Sequence, residues 1–344
     1  MNCYISRNYK DVTAAGNKAK TDIESIMDGM GYQNVGLPLL VSRGKVKGFF
    51  YNLASVLKGV ASLHKDDILV VQYPLKKYFS FVCDVAHARG AKVIVVIHDL
   101  GSFRRKALTV KKEMSRLNRA DYIVAHNDSM KKWLLDNGCK STVDTLGIFD
   151  YLSPATPADK VADSTQPRRI LYAGGLSPRK NKFLYDIGGY LTNTRLNLYG
   201  SGFIVDEAKG SEHITYMGFA SPDTIIADSK GEFGLVWDGF SIDECTGDFG
   251  EYLRYNNPHK VSLYLRCGLP VIMWEKAALA PFVKENGIGV CVNSLKNIEE
   301  VLGGISDADY QQMSHNVKAV AKRLSEGYYI STALRKAVAN LSNR

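Results

Sequence analysis

"YLSPATPADKVADSTQPR", residues 151–168, divides the chain. It carries three prolines and no apolar periodicity, so it reads as a linker. Working outward from it, short β-branched runs recur on both sides, separated by segments of helical period. Before it stand "NCYIS", "DILVVQYP", "AKVIVVIHD" and "ADYIVAHN". After it stand "RRILYAGG", "TRLNLYG", "HITYMG", "GEFGLVWD", "GLPVIMW" and "GIGVCVN". Runs that are apolar on both faces predict strands of a parallel sheet buried between helices. Strands alternating with helices predict doubly wound α/β domains. The expectation is an α/β protein with two Rossmann-like domains, 1–150 and 169–327, facing each other across a cleft. Ligands of such folds sit at the carboxyl ends of the strands. "SDADYQQMSHNVKAVAKRL" predicts a helix capped by Ser306. After Gly327 a closing helix runs over about 328–344; its return to the first domain is left open by spacing.

The 344 residues exceed what one ordinary core organises. With 45% hydrophobic and 23% charged residues the chain is globular rather than disordered. Its net charge of +9 admits nucleic acid, an anionic membrane surface or a polyanionic substrate without choosing among them. Six scattered cysteines with no C-x-x-C pair read as reduced thiols, not as a disulfide frame or zinc site. "MNCYISRNYK" lacks the layout of a signal peptide. No apolar run approaches the roughly 20 residues that span a bilayer. A soluble, cytoplasmic protein is expected.

Candidate chemistry lies at strand ends. After "RRILYAGG", Gly174 and Gly175 allow a tight turn, and Arg179, Lys180 and Lys182 follow where a helix begins. That suits a phosphate, and equally a plain surface loop. "LNLYGSGF" ends a strand with Tyr199, Gly200, Ser201 and Gly202, either for close ligand approach or as a tight turn. The full G-x-G-x-x-G fingerprint is absent, since Val205 stands at its last position. In "YNNPHK", Pro258 fits a first helical turn, capped by Asn256 or Asn257. His259 and Lys260 then crowd the positive end of the helix dipole. They are misplaced there unless an anion such as a diphosphate binds between them; the alternative is solvent-exposed first-turn residues. "WDGFSIDECTGDFGEY" holds Asp238, Asp243, Glu244, Asp248 and Glu251 at irregular spacing, a mobile loop over a sugar pocket rather than a metal site. The D-x-D at Asp307 and Asp309 opens a helix and reads as favourable dipole charge, so no metal is expected. In the first half, "VIVVIHDLGSFRR" ends a strand with His98 and Asp99. Either can act as general base, and Asp99 can instead cap the following helix. The loop after the first strand, "RNYKDVTAAGNKAK", offers Gly16, Asn17 and Lys18 to the same cleft.

Two stretches bear on partners. Residues 103–119 carry seven cations against one acid, Glu113, a net of +6. Residues 45–65 place Phe49, Phe50, Leu53, Val56, Leu57 and Val60 at helical spacing between lysines, either a core-facing helix or, with 103–119, a dock for anionic lipid headgroups. Nucleic acid is not favoured, because no binding motif appears.

Taken together, "IHDL", "AAGNKAKTDIE", "GEYLRYNNPHKVSLYLRCGLPVIMW" and "FVKENGIGVCVNSLKNIEEVL" resemble bacterial GT-B glycosyltransferases. The resemblance is to the β-1,6-galactofuranosyltransferases of surface-polysaccharide (O-antigen, capsule) gene clusters, which are related to the glucosyltransferases that extend adhesin glycans. It implies a UDP-sugar donor held mainly by the second domain. Arg179 after "GGLSP", Tyr199, Gly200 and Ser201 in "LYGSG", and Asn257, Pro258, His259 and Lys260 in "NNPHK" match the donor-holding positions. The related adhesin enzymes have a tyrosine where this chain has His259. Gly16, Asn17 and Lys18 match an element that closes over the donor. The resemblance further implies inverting, metal-independent transfer of a hexose to a saccharide hydroxyl, the acceptor lipid-linked in some cases. The donor is a substrate, and no cofactor is expected. On this picture Asp99, with His98 as its rival, deprotonates the acceptor, while Lys260 and Arg179 stabilise the departing diphosphate. A UDP-sugar epimerase of the same fold and a non-catalytic UDP-sugar-binding or carbohydrate-binding protein remain alternatives, and a homo-oligomer is left open.

Overall fold

The computed structural model describes residues 1–9, 15–42, 44–75, 78–104, 108–159 and 166–343. The chain forms two compact units, Met1–Asp150 with Gly327–Arg344, and Tyr151–Glu326. In the first unit the order is β1 (Asn2–Tyr4), α1 (Ala15–Gly29), β2 (Gln33–Asn34), α2 (Lys45–Ala61), β3 (Ile68–Tyr73) and α3 (Phe79–Ala88). Then come β4 (Lys92–Ile97), α4 (Gly101–Arg104), α5 (Val110–Leu117), β5 (Tyr122–Ala125), α6 (Asp128–Asp136) and β6 (Thr142–Thr145). The second unit holds β7 (Arg169–Gly175), α7 (Pro178–Asn181), α8 (Phe183–Asp186), β8 (Arg195–Ser201), β9 (Ile214–Gly218), α9 (Pro222–Asp228), β10 (Phe233–Val236) and α10 (Gly247–Tyr252). It continues with α11 (His259–Arg266), β11 (Val271–Trp274), α12 (Ala280–Asn286), β12 (Gly289–Val292), α13 (Ile298–Gly303) and α14 (Asp307–Ser325). Helix α15 (Tyr328–Ser342) belongs to the first unit.

Among the described residues each unit has one six-stranded sheet, ordered β2-β1-β3-β4-β5-β6 and β12-β11-β10-β7-β8-β9, with parallel pairing throughout. The doubly apolar runs explain this. Every residue of β3, β5, β10 and β11 is buried, which requires helices on both faces of the sheet. In each sheet the strand order reverses once, between β1 and β3 and between β7 and β10. A crevice opens at such a reversal outside the carboxyl ends of the strands.

Local signals place the helices. Asn127 and Ser306 accept the free amides of Met130 and Asp309 at the starts of α6 and α14. At α11 the cap differs from the sequence expectation. Pro258 is itself the N-cap in extended conformation, without a side-chain cap bond, and the helix begins at His259. Residues 151–155, read above as linker, are packed within the second unit. Tyr151 is buried, with its ring 4.8 Å from that of His259, and Arg266 donates to the carbonyls of Ser153 and Ala155. Residues 160–165 lie outside the described residues.

Helix α15 is tied into the first unit at both ends. Buried Asp150 accepts the amides of Tyr329 and Ile330 at 3.1 and 2.7 Å, and Lys92 Nζ donates to the Leu341 carbonyl. Gly327 turns the chain into the helix at φ 70°, where a Cβ would meet Ile26 at 2.7 Å. Burial pushes the Asp150 carboxyl up to about 7, against the two amide donors. A raised carboxyl holds its proton in the folded state over a range where the unfolded chain has lost it. Stability therefore falls as pH rises from about 4 towards 7, by up to about 1.4 kcal/mol per pH unit. Asp150→Asn keeps an acceptor oxygen and cannot ionise. Thermal melts at pH 5 and pH 7.5 are expected to show a smaller loss of stability in the variant. Equal losses in the two proteins would rule out this carboxyl as the source.

Candidate functional site

The reversal between β7 and β10 brings three distant residues together. Tyr172 comes from the middle of β7, Asp238 from the turn after β10, and Lys260 from the first turn of α11. Lys260 Nζ donates to Tyr172 Oη at 2.9 Å, to Asp238 Oδ1 at 3.0 Å and to the Trp237 carbonyl at 3.4 Å. Tyr172 in turn donates its hydroxyl proton to Asp238 Oδ1 at 3.1 Å. An ammonium has three donors, and here all three have acceptors within the protein. The side chains of Lys260 and Asp238 are only 12% and 11% exposed, so this is a buried ion pair. Burial pulls the Lys260 ammonium below its ordinary value, while Asp238 opposes the shift.

A second cation stands beside the pair in a different state. Lys180 of α7 is half-exposed, its Nζ 4.0 Å from Asp238 Oδ1 and 5.1 Å from the centre of the Phe249 ring. Fully buried Asn181 fixes this corner. Its amide donates to the Gly175 carbonyl at 2.7 Å and its oxygen accepts the Gly239 amide at 3.4 Å, tying the loop after β7 to the turn after β10. Gly239 has φ 116°, and a Cβ there would meet the Thr246 carbonyl at 2.2 Å.

The donor-site residues expected from the sequence fall into two groups. Lys260 lies in the cluster just described, and Asn257 and Pro258 are buried immediately before it. His259 is half-buried against Tyr151. Arg179 is exposed on α7, one residue from Lys180. Tyr199 is turned into the fold, where its hydroxyl accepts the Lys230 amide at 3.2 Å. Gly200 serves the sheet. A Cβ there would lie 1.9 Å from the Gly174 carbonyl, so β7 and β8 approach this closely only at glycine. Ser201 is exposed, and its carbonyl accepts the Leu176 amide. Gly16, Asn17 and Lys18 form the first turn of α1 rather than a loop, with Lys18 paired to Asp22 at 2.5 Å.

In the first unit the reversal between β1 and β3 opens a cavity lined by Arg7, Tyr9, Gln72 and Leu75 among others. Gln72 donates to the Lys20 carbonyl at 3.2 Å, and its oxygen lies 2.7 Å from His98 Nε2. A carbonyl can only accept, so the amide nitrogen must face Lys20 and the amide oxygen must face His98. The Nε2 atom of His98 therefore carries the proton. The imidazole also stacks on Phe149, centroids 5.4 Å apart. Asp99 follows, half-buried. The first two amides of α4 have an acceptor elsewhere in the chain. The amides of Gly101 and Ser102 at the start of α4 donate to fully buried Glu113, each at 2.8 Å, and Tyr73 donates its hydroxyl to the same carboxylate at 2.7 Å. In the sequence Glu113 stands only as the lone acid among the seven cations of 103–119, with nothing local to mark it as a buried acceptor.

Three of the acidic residues after β10 are engaged with basic neighbours: Asp243 with Lys296 at 2.8 Å, Glu244 with Lys276 at 3.9 Å and Glu251 with Arg254 at 2.9 Å. Asp307 pairs with Arg168, and Asp309 bonds with the capping Ser306. Among the described residues no three His, Cys, Asp or Glu side chains are placed to hold a metal ion.

Two parallel doubly wound units, each with polar residues where its strand order reverses, have the architecture of the GT-B fold, and the relatives below make the chain a glycosyltransferase. Sucrose-phosphate synthase from Thermosynechococcus elongatus shares that fold. It is 12% identical, with a TM-score of 0.62, over 98% of this chain and 100% of that one. The chain belongs to the glucosyltransferase 3-like family, whose N-terminal domain matches residues 2–148 and whose C-terminal domain matches residues 170–337. It is 30% identical over 331 residues to the β-1,6-galactofuranosyltransferase WbbI of Escherichia coli (strain K12), covering 96% of each chain. It is 26% identical over 296 residues to glucosyltransferase 3 of Streptococcus gordonii, covering 83% of this chain and 84% of that protein.

Proposed function

We propose that this glycosyltransferase moves galactofuranose from a UDP-sugar to a saccharide hydroxyl, inverting the anomeric carbon and using no metal. The observation that carries the donor assignment is the pair of lysines at the reversal of the second sheet. A leaving diphosphate gains charge in the transition state and needs fixed positive charge beside it. Lys180 supplies a half-exposed ammonium, Arg179 a second cation on the same turn, and the Lys260–Asp238–Tyr172 cluster a rigid floor. The furanose donor is supported by the 30% identity to WbbI over nearly the whole chain. A base in the first unit, Asp99 or His98, takes the proton of the attacking hydroxyl. The reading extends to a cytoplasmic enzyme in surface-polysaccharide synthesis that meets anionic lipid through the cations of 103–119. Of these, Arg105 and Lys106 lie outside the described residues.

The test is release of UDP from UDP-galactofuranose, UDP-galactose and UDP-glucose, with and without a panel of saccharides, in chelator and in added divalent metal. Acceptor-dependent release in chelator, fastest with the furanose donor, is the expected result. Isomerisation or hydrolysis of the donor without acceptor would indicate an epimerase, and binding of UDP without turnover a binding protein. Release that requires metal would overturn the metal-free mechanism. Arg179→Ala and Lys180→Ala are each expected to weaken UDP binding about tenfold, the scale of one hydrogen bond to a charged group.

A further inference from the structure

Helix α2 is apolar on two faces, and the fold uses only one of them. Its buried face is built from small residues, Gly48, Ser55 and Gly59, with Val56 and Val60. The fit there is close. A Cβ at Gly59 would meet Ile5 at 2.6 Å, and one at Gly48 would meet Asn8 at 2.5 Å. This seats the helix low against the unit and leaves its larger apolar residues outside. Val46 is 72% exposed, Phe50 62% and Leu57 47%. The strap before the helix is fastened along it by Leu37 N to Ser55 Oγ, Tyr51 Oη to the Pro38 carbonyl and Lys58 Nζ to the Gly36 carbonyl. That strap exposes Leu39 and Val41 as well. Scattered single apolar residues are ordinary on a surface; a stripe along one helix continued by its neighbouring strap is not.

The charge of the helix selects the occupant. Lys45, Lys47 and Lys58 are exposed, and α2 contains no acid. Large apolar residues flanked by lysines, with no counter-charge, complement a bilayer with anionic headgroups. Position gives the contact a purpose. The backbone amide of Asn8 donates to Asn52 Oδ1 on α2, and its side chain donates to the Ser42 carbonyl. Asn8 lies between Arg7 and Tyr9, which line the cavity at the carboxyl end of β1. We infer that α2 with its strap is a lipid-docking element. It inserts Val46 and Phe50 among anionic headgroups and so holds the carboxyl end of β1, at Arg7 and Tyr9, close to the bilayer, where a lipid-linked saccharide acceptor is presented. The acceptor clause rests on the transferase reading above; the docking itself does not.

The experiment is sedimentation of the full chain with phosphatidylcholine vesicles, with and without phosphatidylglycerol. UDP release to a soluble saccharide, measured in parallel, reports folding. Binding is expected only with the anionic lipid and should weaken as salt is raised. Val46→Ser with Phe50→Ser should lower it by about tenfold or more, and Lys45→Glu with Lys47→Glu by about fivefold per lysine, the scale of one cation at an anionic surface. Turnover with the soluble acceptor should be unchanged in both variants. Absence of anionic-vesicle binding in the unaltered protein would overturn the inference. So would binding that survives the α2 changes and falls instead with Lys111→Glu and Lys112→Glu, or a dimer that Phe50→Ser dissociates. If vesicles bind as described while no saccharide accepts a sugar, docking stands and the transferase assignment fails.

Discussion

Lys260→Met is expected to destabilise the second unit by roughly 3 kcal/mol, because buried Asp238 loses its closest charge partner and keeps only the Tyr172 hydroxyl and the more distant Lys180 ammonium. The variant should unfold at clearly lower denaturant and should lose UDP binding as the floor of the site deforms. Adding Asp238→Leu should restore most of the stability, since a buried pair replaced on both sides by apolar groups is often tolerated. UDP binding should not return with it. This outcome separates two pictures of the same lysine. A cation that waits for a diphosphate leaves little behind when removed, and such a variant would melt like the unaltered protein. A cation whose three donors already hold Tyr172, Trp237 and Asp238 takes the local fold with it. Unchanged melting of Lys260→Met would reject the second picture.

Glu113→Ala is expected to cost roughly 3 kcal/mol or more, because three buried donors lose their acceptor together: the Tyr73 hydroxyl and the amides of Gly101 and Ser102. Those amides begin two residues after Asp99, so the loop that carries His98 and Asp99 loosens. Turnover should fall while UDP affinity, which on the proposed donor site depends on the second unit, stays close to that of the unaltered protein. Glu113→Gln retains one acceptor oxygen and should be milder in both respects. Equal loss of turnover and UDP affinity in Glu113→Ala would show that the carboxylate does not act through this loop.

How much of this was legible depends on how far each feature reaches along the chain. Runs such as "KVIVVI" and "VIMW" declare themselves, because a strand buried on both faces needs apolar residues at every position. Ser306 and Asn127 declare helix starts for an equally local reason. The Tyr172–Asp238–Lys260 cluster has no local signature. Its members lie 22 and 66 residues apart in pairs, and only the pairing of β7 with β10 joins them. Arg179 and Lys180 are successive residues of a four-residue helix, about 100° apart around its axis. Composition cannot say which of them points to Asp238. Gly16–Lys18 reads as part of the loop after the first strand, yet nothing in "KAKTDIE" breaks a helix, and α1 already runs from Ala15. The apolar residues of α2 are visible in the sequence as one set at helical spacing, which the fold divides between a buried and an exposed face. Which face the fold covers was decided by the small side chains at Gly48, Ser55 and Gly59.

The first unit is assembled from two separated stretches of chain, 1–150 and 327–344, around an uninterrupted second unit. A ribosome releases them in that order, so the whole of the second unit emerges while the first still lacks the helix that Asp150 caps. The second unit is thus the one able to finish folding on the nascent chain. The first unit must keep the seat of α15 open until residues 327–344 emerge, and that exposed seat is where a chaperone has the longest time to act.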